Sequence, residues 1–406
     1  MAISNITGSP VSGGDFYDRE WELDVLKRAV VAGNNVLLTA PRRVGKSSLV
    51  LAALGWARSE GWTSIDVDAQ DCDTEASFLE KLIESCRAAG VKLTLLDELA
   101  QKAKALKRFL AGANLGGGGV TIQLPDEGAE DWREAGRVFQ RLLDQLSSNA
   151  ARVLIGIDEL PIFLAKLLKQ PQGDERVDLV LRWLRALRGQ TQGRVSWIIC
   201  GSVGLDTFVE HHGLVGTIND LQLQPLGPFS EEVSVAFLMA LGESSAGRLP
   251  LTEDLARAML RRVGWPLPYY LQLMFHALSE LPLEARSRSY PSEADVGAAY
   301  EQLLSPHCFS YFAHWDTRLD DQLDVARSAT ARFLLKEVCR TNRGVSRDRL
   351  QERLLARSPQ ADPEAVEREL DLVLGLLERD GYLMRDKNTC VFRSFLLRDY
   401  WRRRFA

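Results

Sequence analysis

A chain of 406 residues is long enough for two or three domains with a sizeable interior, and 46% apolar with 26% charged residues excludes a disordered or fibrous class. No apolar run reaches the roughly 20 residues that a bilayer-spanning helix needs. The start MAISNITGSPVSGG lacks the basic and apolar regions of a secretion signal, and the net charge is a modest −5, so a cytoplasmic protein with no membrane partner is expected. The six cysteines (Cys72, Cys86, Cys200, Cys308, Cys339, Cys390) contain no C-x-x-C pair and the five histidines no H-E-x-x-H spacing, which points to free or buried thiols.

The first element is a helix over Glu20 to Val31. After it, Val36 to Thr39 is a short apolar run of the kind that forms a buried parallel strand. Ala40-Pro41-Arg42-Arg43-Val44-Gly45-Lys46-Ser47-Ser48 follows, and helical apolar spacing then continues to Gly61. Strand, loop and helix in this order are the setting in which successive backbone N–H groups converge on the β- and γ-phosphates of a nucleotide. Lys46 supplies a positive charge and Ser47 a hydroxyl for Mg²⁺. The first position of such a loop is usually glycine; Ala40 is the smallest replacement and reads as a tolerated departure. Arg42 and Arg43 either add charge near the phosphates or are simply solvated.

Thr63 to Asp68 reads as a second strand, and Glu75 to Ala89 and Leu95 to Leu110 as amphipathic helices. The stretch NLGGGGVTIQLPDEG then breaks the pattern and reads as a surface loop where a lid moves or a partner docks. Val153 to Glu159, V-L-I-G-I-D-E, is an apolar strand ending in two carboxylates. Asp158 is placed to hold the shell of Mg²⁺ and Glu159 to polarise the water that attacks the γ-phosphate. Adjacent acids before a helix are also what an N-cap requires. A third strand, Val195 to Cys200, leads into Gly201-Ser202, where Ser202 reads equally as a γ-phosphate sensor and as an N-cap.

Beyond Pro228 the pattern turns helical: a start at Ser230-Glu231-Glu232, then Leu251 to Val263 and Pro268 to Leu281, interrupted by Gly264-Trp265-Pro266. From about Ala326, the runs Ala331 to Arg340, Ser346 to Leu355 and Pro363 to Arg379 are helices. DGYLMRDKNTCVFRSF then gives two strands about a turn at Arg385 to Asn388, and the basic, aromatic RDYWRRRFA closes the chain. Three helices and a hairpin make a winged helix. From Asp321 onward there are 18 Lys plus Arg against 14 Asp plus Glu, a local +4. The helix that would read a duplex nonetheless carries Glu364, Glu367, Glu369 and Asp371 against only Arg368 and Arg379.

GGDFYDREWEL, the phosphate loop, I-D-E, IICGSVG, L-Q-P-L before F-S-E-E, GWPLPYYLQ and FAHWDTRL, in that order, resemble the archaeal-type ATPases of the STAND class, whose core is AAA+-like. The resemblance implies a five-stranded parallel sheet with the Val195 strand between the loop strand and the acid strand. It places Phe16 and Tyr17 near adenine, although aromatics there also serve to staple the first helix, and it gives Trp265 and Pro266 a contact with the base or a plain helix-boundary role. The group's Gly-Arg, a candidate arginine finger, is replaced by Gly216-Thr217-Ile218-Asn219-Asp220, which implies slow hydrolysis.

The reading as a whole is an α/β P-loop NTPase core of AAA+/STAND type over 1–227, a helical lid over 228–325 and a winged helix over 326–406. ATP with Mg²⁺ is the expected ligand pair and ADP the product. Lys46, Glu159 and Ser202 would serve the reaction, and Ser47 with Asp158 the metal. Such a chain acts as a nucleotide-controlled switch on a protein partner or another copy of itself. The alternatives are a DNA-binding ATPase resembling origin-recognition or transposon-targeting proteins, which would use the winged helix on duplex, and a module that holds nucleotide without hydrolysing it.

Overall fold

The computed structural model describes residues 3–92, 94–114, 126–148, 152–201, 204–244, 249–282 and 291–406. They form two compact units. One comprises Arg19–Ala40 with Lys46–Leu226; the other comprises the N-terminal residues to Asp18, Pro41–Gly45, and Gly227–Ala406.

The first unit is built on an all-parallel sheet of β1 (Asn35–Thr39), β2 (Thr63–Asp68), β3 (Val153–Asp158), β4 (Val195–Cys200) and β5 (Leu221–Pro225) in the order β2-β3-β4-β1-β5. The expected position of the Val195 strand, between the loop strand and the acid strand, is the observed one. These central strands are continuous apolar runs because helices cover both faces of a parallel sheet. Those helices are α1 (Glu20–Val31), α2 (Lys46–Ser59), α3 (Glu75–Ala88), α4 (Thr94–Asn114), α5 (Asp126–Ser148), α6 (Leu160–Leu168), α7 (Gly173–Gln190) and α8 (Leu205–His211).

Two features of this unit were not expected. The glycine-rich stretch lies largely outside the described residues, and α5 begins at Asp126, within the segment read as loop. Trp132, Ala135, Val138, Phe139, Leu142 and Leu143 follow the 3.6-residue period and are all buried, so α5 is held by its apolar stripe. The second feature is Gly156 in the middle of β3. A Cβ there would lie 2.8 Å from Val50 Cγ1 and 3.2 Å from Leu54 Cδ1. Glycine lets α2, the helix that carries Lys46 and Ser47, approach the sheet closely.

In the second unit, α9 (Glu231–Ser244), α10 (Glu253–Val263), α11 (Pro268–Ser279), α12 (Glu293–Leu303) and α13 (Ser310–Gln322) are all helical, the last two additional to those expected. Thr252 and Ser292 accept hydrogen bonds from third-position amides and fix the starts of α10 and α12. The chain continues through α14 (Val325–Cys339), β6 (Val345–Ser346), α15 (Arg347–Arg357), α16 (Pro363–Arg379), β7 (Leu383–Asp386), β8 (Thr389–Phe392) and α17 (Phe395–Phe405). The strands form an antiparallel sheet, β6-β8-β7, giving the make-up of a winged helix. Tyr382 donates its hydroxyl to the Trp315 carbonyl at 2.7 Å, tying the residue before β7 to α13. The basic α17 is structural: Tyr400 and Trp401 are buried, Arg402 donates to the Cys339 carbonyl, and Arg403 pairs with Glu301.

Because Val50 is branched at Cβ and has little freedom to swing away, Gly156→Ala is expected to destabilise the protein by about 1–3 kcal/mol, the usual cost of overpacking. Urea denaturation of the two proteins checks this.

Candidate functional site

The backbone of the loop answers why Ala40 suffices. Gly45 adopts φ +101°, a region open to glycine and strained for other residues, whereas Ala40 is not among the residues of positive φ. What Ala40 contributes is its carbonyl, which accepts a hydrogen bond from the Lys46 ammonium at 2.9 Å. Lys46 is only 6% exposed, so its charge is held at the start of α2. That helix end also presents the amides of its first turn, which have no partners within the helix.

Beside it stands Asp158, the last residue of β3. Its Oδ2 accepts the Ser47 hydroxyl at 2.5 Å, and its Oδ1 accepts the Glu159 amide at 2.9 Å and the Cys200 thiol at 3.1 Å. Sheet register makes this meeting possible. Ile157 lies opposite Ile199, so Asp158 and Cys200 end adjacent strands together, and Cys200 is in turn paired with Leu38 of the loop strand. Burial, and after it the nearby Asp158 carboxylate, pushes the Cys200 thiol well above its ordinary pKa, so it remains a neutral donor. Among the described residues no set of three or more His, Cys, Asp or Glu is arranged to hold a metal.

Glu159 occupies the N-cap position of α6, but its side chain makes no capping bond, and its backbone is left-handed at φ 55° and ψ 27°. A non-glycine residue in that region is strained. Capping therefore does not account for this glutamate. Ser202 lies outside the described residues. In the 216–220 segment, where the resemblance would place an arginine, two arginines of α7 are committed to the segment itself: Arg185 donates to the Gly216 carbonyl, and Arg188 to the Thr217 carbonyl and to Asp220 at 2.6 and 2.9 Å.

The remaining expected residues fall within the second unit. Arg43 donates to the Gly8 carbonyl at 3.0 Å and its guanidinium lies 4.3 Å from the ring centre of Tyr269, so it is engaged and not merely solvated. Burial, together with Arg42, Arg43 and Arg318, lowers the pKa of His314 to about 2. Tyr17 packs on Phe237 with ring centres 5.1 Å apart, and Phe16 is half-buried just before it. Trp265 is buried, with Arg393 5.4 Å from its ring centre and a Gly381 Cβ position 2.5 Å from its Cη2. Gly264, at φ +80°, caps α10, and Pro266 is half-buried between α10 and α11. Val44 is fully buried, and Pro41, like Trp265, approaches Gly381. Ser48, by contrast, belongs to the first unit and is buried in the first turn of α2.

Cys200 and Gly156 were passed over in the sequence. Cysteine spacing carries no information about a thiol whose partner lies on a neighbouring strand. A glycine inside an apolar strand was the available signal for close helix approach.

Comparison with solved structures agrees with this architecture. The Walker-type ATPase PABY2304 of Pyrococcus abyssi superimposes with a TM-score of 0.65 at 18% identity, covering 98% of this chain and 99% of that one. The ORC2 protein of Aeropyrum pernix, in a structure described as ADPNP–ADP complexes, gives a TM-score of 0.54 at 14% identity over 96% and 95% of the two chains. This chain shares their fold, whose core is a helix-covered five-stranded parallel sheet of the P-loop NTPase type. No protein-family model matches it, and neither does any curated protein.

If the backbone at Glu159 is strained, Glu159→Gly should raise stability by about 1 kcal/mol, since glycine adopts this conformation without the Cβ clash. Denaturant midpoints for the two proteins measure it; a decrease would mean that the left-handed turn carries no strain.

Proposed function

We propose that the protein binds ATP at the loop of residues 40–48, hydrolyses it slowly, and uses the nucleotide state as a switch. The observation that carries this reading is the Asp158 carboxylate, held between the Ser47 hydroxyl and the Glu159 amide where the loop helix meets the strand tip. These are two hard oxygen donors side by side. That set suits Mg²⁺, which takes few protein ligands and completes its shell with water and phosphate oxygens. Ser47 and Asp158 would hold the metal, whose chemistry is to neutralise charge on the β- and γ-phosphate oxygens.

The chain's own groups supply the rest. The ammonium of Lys46, held at the loop, and the amides of the first turn of α2 bind and orient the phosphates. Glu159 accepts a proton from the attacking water and orients it toward the γ-phosphorus, with the P–O bond to ADP breaking as the new one forms. The Cys200 thiol and Ser47 hydroxyl keep Asp158 aligned. Arg185 and Arg188 are taken up by the 216–220 segment, so no arginine there stabilises the transition state, and slow turnover follows.

The switch reading draws support from the second unit. Pro41–Gly45, the middle of the loop, belongs there by its contacts, with Arg43 against Tyr269 and Gly8. A change in loop conformation is thus felt by α11 and the N-terminal residues directly. STAND-type signalling and the 1–227, 228–325 and 326–406 partition remain part of this proposal, as do a protein partner or self-association.

Lys46→Ala is expected to abolish binding of fluorescent ATP. Glu159→Gln should bind it normally while losing about 10²- to 10⁴-fold in phosphate release, the share of a positioned base. Unchanged affinity in the lysine variant would remove the basis of the reading.

A second use, gripping duplex DNA with the winged helix, is favoured only by the local +4 from Asp321 onward. It is opposed by the way α16 is charged. Arg347 binds Glu367 and Asp371, and Arg368 lies near Asp362 and Glu364, so both arginines face acids. We expect no measurable duplex binding even at about 50 mM salt; tight binding that weakens steeply with salt would favour the second use instead.

A further inference from the structure

The N-terminal residues are fixed at several points of the second unit. Ile3 is 3% exposed, and its amide donates to Ser244 Oγ at 2.7 Å, at the end of α9. Asn5 donates from Nδ2 to the Gln272 carbonyl of α11 at 3.3 Å. The Ser4 amide donates to the Asp15 carboxylate at 2.6 Å, which closes the chain between them into a loop, and Tyr17 packs on Phe237 of α9. Residues 3–17 are therefore a strap, tied to two helices near both of its ends.

Between those anchors Gly8 meets the phosphate loop. Its carbonyl accepts a hydrogen bond from Arg43 Nη1 at 3.0 Å, and the same guanidinium lies 4.3 Å from the ring centre of Tyr269, on the helix that also carries Gln272. Both partners in this bond have backbone that L side chains rarely adopt: φ is +97° at Gly8 and +69° at Arg43. Nothing lies within 4 Å of the place a Gly8 Cβ would take, so glycine serves there for its backbone and not for want of room. For Arg43 the left-handed turn is costly, and the strap supplies one of the contacts that hold it.

Arg43 shortly precedes Gly45 and Lys46, so its turn decides how the amides that follow are aimed. A loop already held in one shape loses less freedom when phosphates arrive than a loop that must be ordered at that moment. The direction of the coupling follows: a closed strap favours nucleotide binding, and bound nucleotide favours the closed strap by the same factor.

We propose that residues 3–17 are a strap that presets the phosphate loop, with Ile3 as its anchor, the Gly8 carbonyl as its clasp, and Arg43 as a positioning residue that acts through the backbone and not through its charge on the phosphates. This role rests on the nucleotide reading of the loop.

The test titrates the full chain with fluorescent ATP and Mg²⁺, and follows hydrogen exchange at the amides of residues 42–46 without nucleotide. Ile3→Asp, which puts a carboxylate where an apolar side chain is buried, should weaken ATP about fivefold and speed the exchange by a similar factor. Gly8→Ala, an exposed change at a φ unsuited to alanine, should do the same. Arg43→Ala should weaken ATP about tenfold, whereas Arg43→Gly, which takes up the left-handed turn unaided, should recover at least about threefold of that loss. Thermal melts show whether the fold is intact, and Gly8→Ala keeps the test open if Ile3→Asp does not fold. Unchanged affinity and exchange in Gly8→Ala would overturn the proposal. So would tighter binding in Ile3→Asp, which would make the strap an inhibitor, or equal losses for the two Arg43 variants, which would assign that arginine to charge alone. Failure of the unaltered chain to bind ATP would instead sink the nucleotide reading, and the exchange comparison would still decide whether the strap holds the loop.

Discussion

One carboxylate organises the centre of the first unit. Asp158 accepts hydrogen bonds from the side chain of Ser47, the amide of Glu159 and the thiol of Cys200. The three donors come from the start of α2, the turn into α6 and the end of β4, and bonds to a charged acceptor are roughly twice as strong as neutral ones. Their convergence depends on register in the parallel sheet: a slip of one residue would turn Asp158 to the opposite face. The apolar runs that bury β3 and β4 on both sides hold that register, and Gly156 lets α2 come near enough for Ser47 to reach the carboxylate. Hydrophobic packing thus sets the position of the polar group.

The loop shows the same economy of means. Only Gly45 requires the freedom of a missing side chain, whereas Ala40 acts through its carbonyl and needs none. Two non-glycine residues, Arg43 and Glu159, are held in left-handed backbone nevertheless. Arg43 is over-determined by its bond to Gly8 and its contact with Tyr269, and Glu159 by the Asp158 acceptor that captures its amide. Strain persists where neighbouring contacts fix the alternative; Asp18, Arg19, Gln172 and Lys387 show the same left-handed backbone elsewhere in the chain.

Much of this was legible in the sequence because the signals are local. Thr63–Asp68, Val195–Cys200 and Glu20–Val31 have the bounds read from apolar runs and caps, and the order of strands followed from the resemblance and not from any periodicity. What could not be read depends on partners distant in the chain. Cys200 carries no motif, and its meaning comes from the carboxylate 42 residues earlier on the next strand. The start of α5 is Asp-Glu-Gly-Ala-Glu-Asp, polar and next to a glycine run, so its helical stripe shows itself only from Trp132 onward. Trp265 read as a possible contact to a base because of its glycine and proline neighbours; its ring is enclosed by Gly381 and Arg393, more than a hundred residues later in the chain.

Net charge illustrates the same limit from the other direction. The C-terminal +4 suggests a surface for polyanions, but electrostatic attraction depends on which charges face solvent without a counter-charge. In the winged helix Arg347 spans two acids of α16, Arg353 and Arg340 share Glu337, Arg385 pairs with Glu378, and Arg398 and Arg402 share Asp399. Each pair is worth little to stability where it is exposed. Together they weaken the field that a phosphate backbone would meet at these residues, because opposite charges a few ångströms apart leave only a dipole beyond a Debye length of roughly 8 Å at physiological salt. Arg347, Arg353 and Arg385 join one element of this module to another, and that use competes with presenting them to a nucleic acid.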